Sequence, residues 1–183
     1  MEIRISSKQI LTVLQVLSWI IFVGLCFDAG CIIFNTGYAH FRPSSVTGFW
    51  NGSDLSALYA FDKGHFFAQA TYMIIASVLK ALIFYLIIKL FYDRNLTLER
   101  PFNPKVISTI GLIAWICVGT GLFSLWGVKY ALWLQGKGIT MPTADSLRLD
   151  GGDVWLFMAV VLAVVGQVFK KGIVLQTESD LTV

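Results

Sequence analysis

Four long apolar runs constrain this chain more than any other feature. They cover about residues 9–34, 66–92, 105–134 and 153–169. About 20 apolar residues are needed to cross a bilayer core of about 30 Å. Backbone groups in lipid have no water to bond, so such runs must fold as helices. The first three runs exceed this length. The fourth is near the lower limit of about 17 and must stand fairly upright or use its flanks. Charged residues make up only 14% of the chain and mean hydropathy is +0.72, where a soluble domain carries about 25% charge. The expectation is a single all-α integral membrane domain over 1–183. It is a four-transmembrane-helix bundle with partly structured outer loops, 35–65 and 135–152, and an inner loop, 93–104.

Basic residues orient the spans. One side collects Arg4, Lys8, Lys89, Arg94, Arg100, Lys105, Lys170 and Lys171; the other collects Arg42, Lys63, Lys129, Lys137 and Arg148. The short loop after the second run carries Lys89, Arg94, Arg100 and Lys105, and short loops report topology best. Both termini are therefore expected in the cytoplasm. The first run is too long for the roughly 7–15-residue core of a cleaved signal and reads as a retained span. Ser6 and Gln9 form a capping box that starts its helix near Ser7. Asn103 and Pro104 supply an N-cap and a first helical residue for the third. Trp50, Trp126, Trp133 and Trp155 fall near the outer water interface, and Trp19 and Trp115 fall inside spans.

The first outer loop carries Tyr38, Phe41, Phe49, Trp50, Tyr59 and Phe61. A loop this long and aromatic lies on the membrane surface or caps the bundle. Asn51-Gly52 marks a turn, and Ser53 is expected to cap a short helix through Leu55, Leu58 and Tyr59. In the second outer loop, the alternation Ser146-Leu147-Arg148-Leu149-Asp150 predicts a short strand. Gly121, Ser124, Gly127 and Ala131 in the third span, and Ala159, Ala163 and Gly166 in the fourth, read as packing faces where backbones approach.

Lys80 is the sharpest single residue, because it falls near the middle of the second span, where a charge costs about 2.5–3.5 kcal/mol. It either contacts an ion, proton or substrate, or is a structural lysine, paired or reaching for the interface. Asp28 is the partner candidate. Asp28 lies about 27 Å from the inner end of its span and Lys80 about 18 Å from its own, a gap that disfavours direct contact. His40 and His65, with Asp54 and Asp62, match no compact metal-ligand spacing. Cys26, Cys31 and Cys117 form no C-x-x-C pair and read as apolar packing residues. The sequence holds no G-x-S-x-G, H-E-x-x-H, Walker or paired-carboxylate motif. No cofactor, metal or catalytic residue is expected. A net charge of +3 without a basic stripe gives no reason to expect direct nucleic-acid binding.

Two stretches carry a resemblance. The inner loop reads Glu99-Arg100-Pro101-Phe102-Asn103-Pro104-Lys105-Val106, and the C-terminus runs Val168-Phe169-Lys170-Lys171-Gly172-Ile173-Val174-Leu175-Gln176-Thr177-Glu178-Ser179-Asp180-Leu181-Thr182-Val183. Together they resemble the small bacterial four-span membrane proteins grouped as domain of unknown function 2975. That resemblance implies a multi-pass protein of the bacterial cytoplasmic membrane. It carries no catalytic residues, and it implies an association with small helix-turn-helix regulators encoded nearby. The expected function is a non-enzymatic regulatory or partner-binding membrane protein. Arg100, Phe102, Lys170, Lys171, Glu178 and Asp180 are the candidate partner-binding residues, and a homo-oligomer is a further option. The alternative is a small transporter or channel subunit using Lys80. The last helix is expected to continue past Lys171, with the final residues packing near the inner loop.

Overall fold

The computed structural model describes residues 7–50, 52–92 and 104–180, with the side chains of 7, 8 and 176–180 outside the description. Among the described residues there are five α-helices: α1 (Ser7–Phe41), α2 (Ser56–Phe61), α3 (Lys63–Phe91), α4 (Pro104–Gly136) and α5 (Gly152–Asp180). A 3-10 segment at Pro43–Gly48 lies between α1 and α2. Helices α1, α3, α4 and α5 are each long and apolar enough to cross a membrane. Their few hydroxyls do not break them. Ser18 donates to the carbonyl of Leu14, Thr71 to Phe67 and Thr120 to Ile116, the i−4 bond that hides a hydroxyl inside a helix.

The long helices pack in chain order. Helix α1 lies on α3, α3 on α4 and α4 on α5, and among the described residues no backbone approach joins α1 to α4 or α5, or α3 to α5. The bundle is thus an open row. The helices at its ends are the least covered: 6% of the apolar window of α1 is buried, against 39% for α3.

Helix length divides the molecule into two faces. Helix α1 has 35 residues and is about 52 Å long, far more than a core of about 30 Å requires. The surplus lies at the face carrying the α1–α3 and α4–α5 connections, called here the cap. There the 3-10 segment and α2 bury Val46, Phe49, Leu55 and Leu58 against Ile32, Phe66, Met73 and Leu134. Phe49 and Tyr59 both meet Phe66 edge to face. The opposite, tail face carries Ser7, the end of α3, the start of α4 and the end of α5. Its half of the row holds a smaller cluster of Ile83, Leu86, Ile113, Cys117 and Ala159.

Close approach of α4 to its neighbours depends on two glycines. A Cβ on Gly121 would sit 2.7 Å from the carbonyl oxygen of Gly152, and one on Gly127 would sit 2.7 Å from Leu149 and 3.0 Å from the Cβ of Tyr72. Helix α5 therefore starts beside the middle of α4, and the chain between them folds back into the cap.

Several expectations change here. Helix α1 continues to Phe41, so Asn35–Phe41 is helix and not loop. Ser53 does not cap α2, which starts at Ser56 with Asp54 Oδ1 accepting from the Ser56 amide at 2.8 Å. Ser53 instead forms an isolated bridge with Trp50 across a turn at Gly52, whose φ is 78°. Ser146–Asp150 is no strand. Residues 144–148 form turns, with Leu147 bonding back to Thr143 and Leu149 to Ala144, and Arg148 adopts φ 58°. Leu147 and Leu149 are buried between less buried neighbours, but a left-handed residue, not a strand, lies between them. Pro104 opens α4 as expected, while Asn103 and Ser6 lie outside the described residues.

Candidate functional site: a polar node between spans and cap

Lys80 does not face lipid unpartnered. A helical Cα–Cβ bond tilts toward the helix N-terminus, which for α3 is the cap. The side chain follows that tilt, and Nζ donates to the backbone carbonyl of Arg148 at 2.9 Å. Arg148 itself has a left-handed backbone, with φ 58°. Its Nη2 meets Asp28 Oδ1 at 3.3 Å. Asp28 Oδ1 also accepts from Trp50 Nε1 at 3.0 Å. One node so joins α1, α3 and both cap connections. Ser53 Oγ adds a stitch, donating to the carbonyl of Ser146 at 2.8 Å.

Arg148 links Lys80 to Asp28, its carbonyl accepting from the first and its side chain meeting the second. Arg148 and Trp50 are the residues that sequence reasoning missed in this role. The signal for Arg148 was its position between two buried leucines. Arg148 Nε is buried without a hydrogen-bond partner.

The remaining polar groups of the cap have structural tasks. Asp62 Oδ1 accepts from the His65 amide and caps α3. The His65 ring bonds the Tyr130 hydroxyl and packs by Trp133. Asp54, just before the Leu55 N-cap, accepts from the first amide of α2, and its hydrogen bonds to Ser56 hold its carboxyl below the usual carboxylate range. Among the described residues, no group of three or more His, Cys, Asp or Glu is placed to hold a metal. Cys26, Cys31 and Cys117 are free, and Cys117 is buried.

The candidate partner-binding residues divide. Lys170 and Lys171 are exposed on α5. Arg100 and Phe102 lie outside the described residues, as do the side chains of Glu178 and Asp180, although the helix runs through to Asp180. The expected packing of the final residues on the inner loop also falls outside the described residues.

Four candidate spans and a structured cap define a multi-pass membrane protein. The family model described as protein of unknown function (DUF2975) matches residues 50–183, and the chain belongs to that family. No curated protein and no solved structure matches the chain.

Proposed function

We propose that this chain is a non-enzymatic protein of the bacterial cytoplasmic membrane that binds a cytoplasmic protein partner through its tail face. In this reading the cap is outside and both termini are cytoplasmic, as the basic residues of the α3–α4 connection favour. The observation that carries the reading is the length of α5. Gly166 stands beside Ile110, so antiparallel α5 passes Pro104, the first residue of α4, near Gly172. It remains helical to Asp180, and residues 173–180 form an arm beyond the row. The arm carries Leu175, 65% exposed, together with the sequence Gln176-Thr177-Glu178-Ser179-Asp180. A small helix-turn-helix regulator is the kind of partner expected of this family.

The bonding of Lys80 supports a structural role over the alternative, a transporter or channel subunit. Its ammonium holds a cap carbonyl. Affinity purification of the full chain from native membranes, compared with a chain lacking 176–183, tests the proposal. A stoichiometric soluble partner lost on truncation is the expected result. An ion flux in liposomes that Lys80→Met abolishes, with no partner recovered, would replace this reading with the alternative.

A further inference from the structure

The small residues of α5 do not all serve close packing. The tight contact of α4 with α5 is at Gly121 and Gly152. Toward the tail face the two helices diverge. A Cβ on Gly111 would meet nothing within 4 Å, and one on Gly166 would only reach ordinary contact with Ile110 at 3.8 Å. Ala163 is exposed. With Gly111, Ala114 and Ala159 these residues line a groove of about 630 Å³ that the other described residues leave unfilled. The packing face expected for Ala159, Ala163 and Gly166 is thus a trough, with Trp115, 76% exposed, as its wall.

We infer that this groove holds one acyl chain of an anionic phospholipid, with the phosphate on Lys170. Three features of the groove agree with that occupant. Its lining is apolar from Leu156 to Gly166 and turns polar only at Gln167 and Lys170. From Leu156 to Lys170 the helix rises about 21 Å, enough to take a chain through one leaflet of about 15 Å. The polar end lies at the tail face, where the spans meet water and where basic pockets between helices take lipid headgroups. Lys170 has no carboxylate partner among the described residues, and Lys171 follows it, so the charge at the mouth favours an anion.

Native mass spectrometry of the full chain in detergent tests this, with phosphatidylglycerol and phosphatidylcholine of matched chains as probes. The expected result is retention of phosphatidylglycerol about fivefold better than phosphatidylcholine, the preference expected of one lysine at a membrane surface. Lys170→Glu should remove the preference, while Lys129→Glu, on the cap half of α4, should leave it. Ala163→Phe should fill the trough and lower retention of both lipids. Equal retention of the two lipids by the unaltered chain would overturn the inference, as would a preference surviving Lys170→Glu. So would a groove occupied by a second copy, seen as dimers that Ala163→Phe dissociates without changing lipid retention. Lys170→Glu alters an exposed side chain, so its result holds even if Ala163→Phe fails to fold.

Discussion

In the cap, Phe49, Leu58, Phe66 and Leu147 are fully buried, whereas Ile20, Trp115 and Phe157 of the spans are 63%, 76% and 67% exposed. The same kinds of side chain are hidden at one end of the molecule and displayed at the other. The difference follows from the solvent each end meets. In water, apolar area must be covered, at about 25 cal/mol per Å², so the cap folds around its own core. In lipid there is no such drive between helices, and the spans need only a narrow seam. The comparison teaches that the exposed surface of α1 and α5 is what a bilayer solvates, and that the cap is the part of the chain folded as a soluble protein folds.

The largest test of that contrast removes one ring from each region. Phe49→Ala should cost about 3–5 kcal/mol by opening a cavity in a water-excluding core. Trp115→Ala should change stability by less than about 0.5 kcal/mol. Thermal unfolding in one detergent measures both, and similar losses would break the comparison.

The node that joins the two regions comes next. Asp28→Asn removes the charge that Arg148 and Trp50 share and should cost about 1–3 kcal/mol. Arg148→Gln should cost a similar amount while leaving the backbone carbonyl that Lys80 uses. Full stability of both variants in chemical denaturation would mean that the node holds nothing.

Glycines sharpen the contrast further. Gly127→Ala presses a methyl on Leu149 and the Cβ of Tyr72 and should cost about 1–3 kcal/mol. Gly111→Ala enters open space and should be neutral or mildly stabilising. A loss at Gly111 equal to that at Gly127 would show the tail half to be as tightly packed as the cap.

The smallest effect is a local pH dependence. Asp54 has its carboxyl held below the usual value of 3.8 by its bonds to Ser56. A depressed carboxyl stabilises the fold above its unfolded value, and the contribution fades as pH falls through the folded one. Protection of α2 amides relative to their intrinsic exchange should therefore fall below about pH 4 in the native chain and show no such step in Asp54→Asn. An unchanged step in the variant would assign it to another group.

The spans were legible because hydropathy and length act locally. Pro104 could be placed as the first residue of α4 for the same reason. The cap was legible only in outline. Its aromatics predicted a structured region, but which helix they would cover depends on contacts far apart in the chain. Arg148 shows the limit most clearly. The alternation around it has the period of a strand, and only the fold-back of the α4–α5 connection gives it a left-handed backbone. Ser53 was a reasonable cap by type, yet Asp54 lay closer to the helix start and left the Ser53 hydroxyl free for Ser146. The Lys80 site was half legible: the charge stood out at mid-span, while its acceptor is a backbone carbonyl, which has no signature in sequence.

Hydrogen exchange of the full chain in lipid nanodiscs tests most directly whether Lys80 pins a folded cap to the spans. In the unaltered chain, amides of 46–50, 52–58 and 144–149 should be protected together. Lys80→Met should release 144–149 and leave 113–124 of α4 protected. Rapid exchange of 144–149 in the unaltered chain, or protection there that Lys80→Met does not change, would contradict the account.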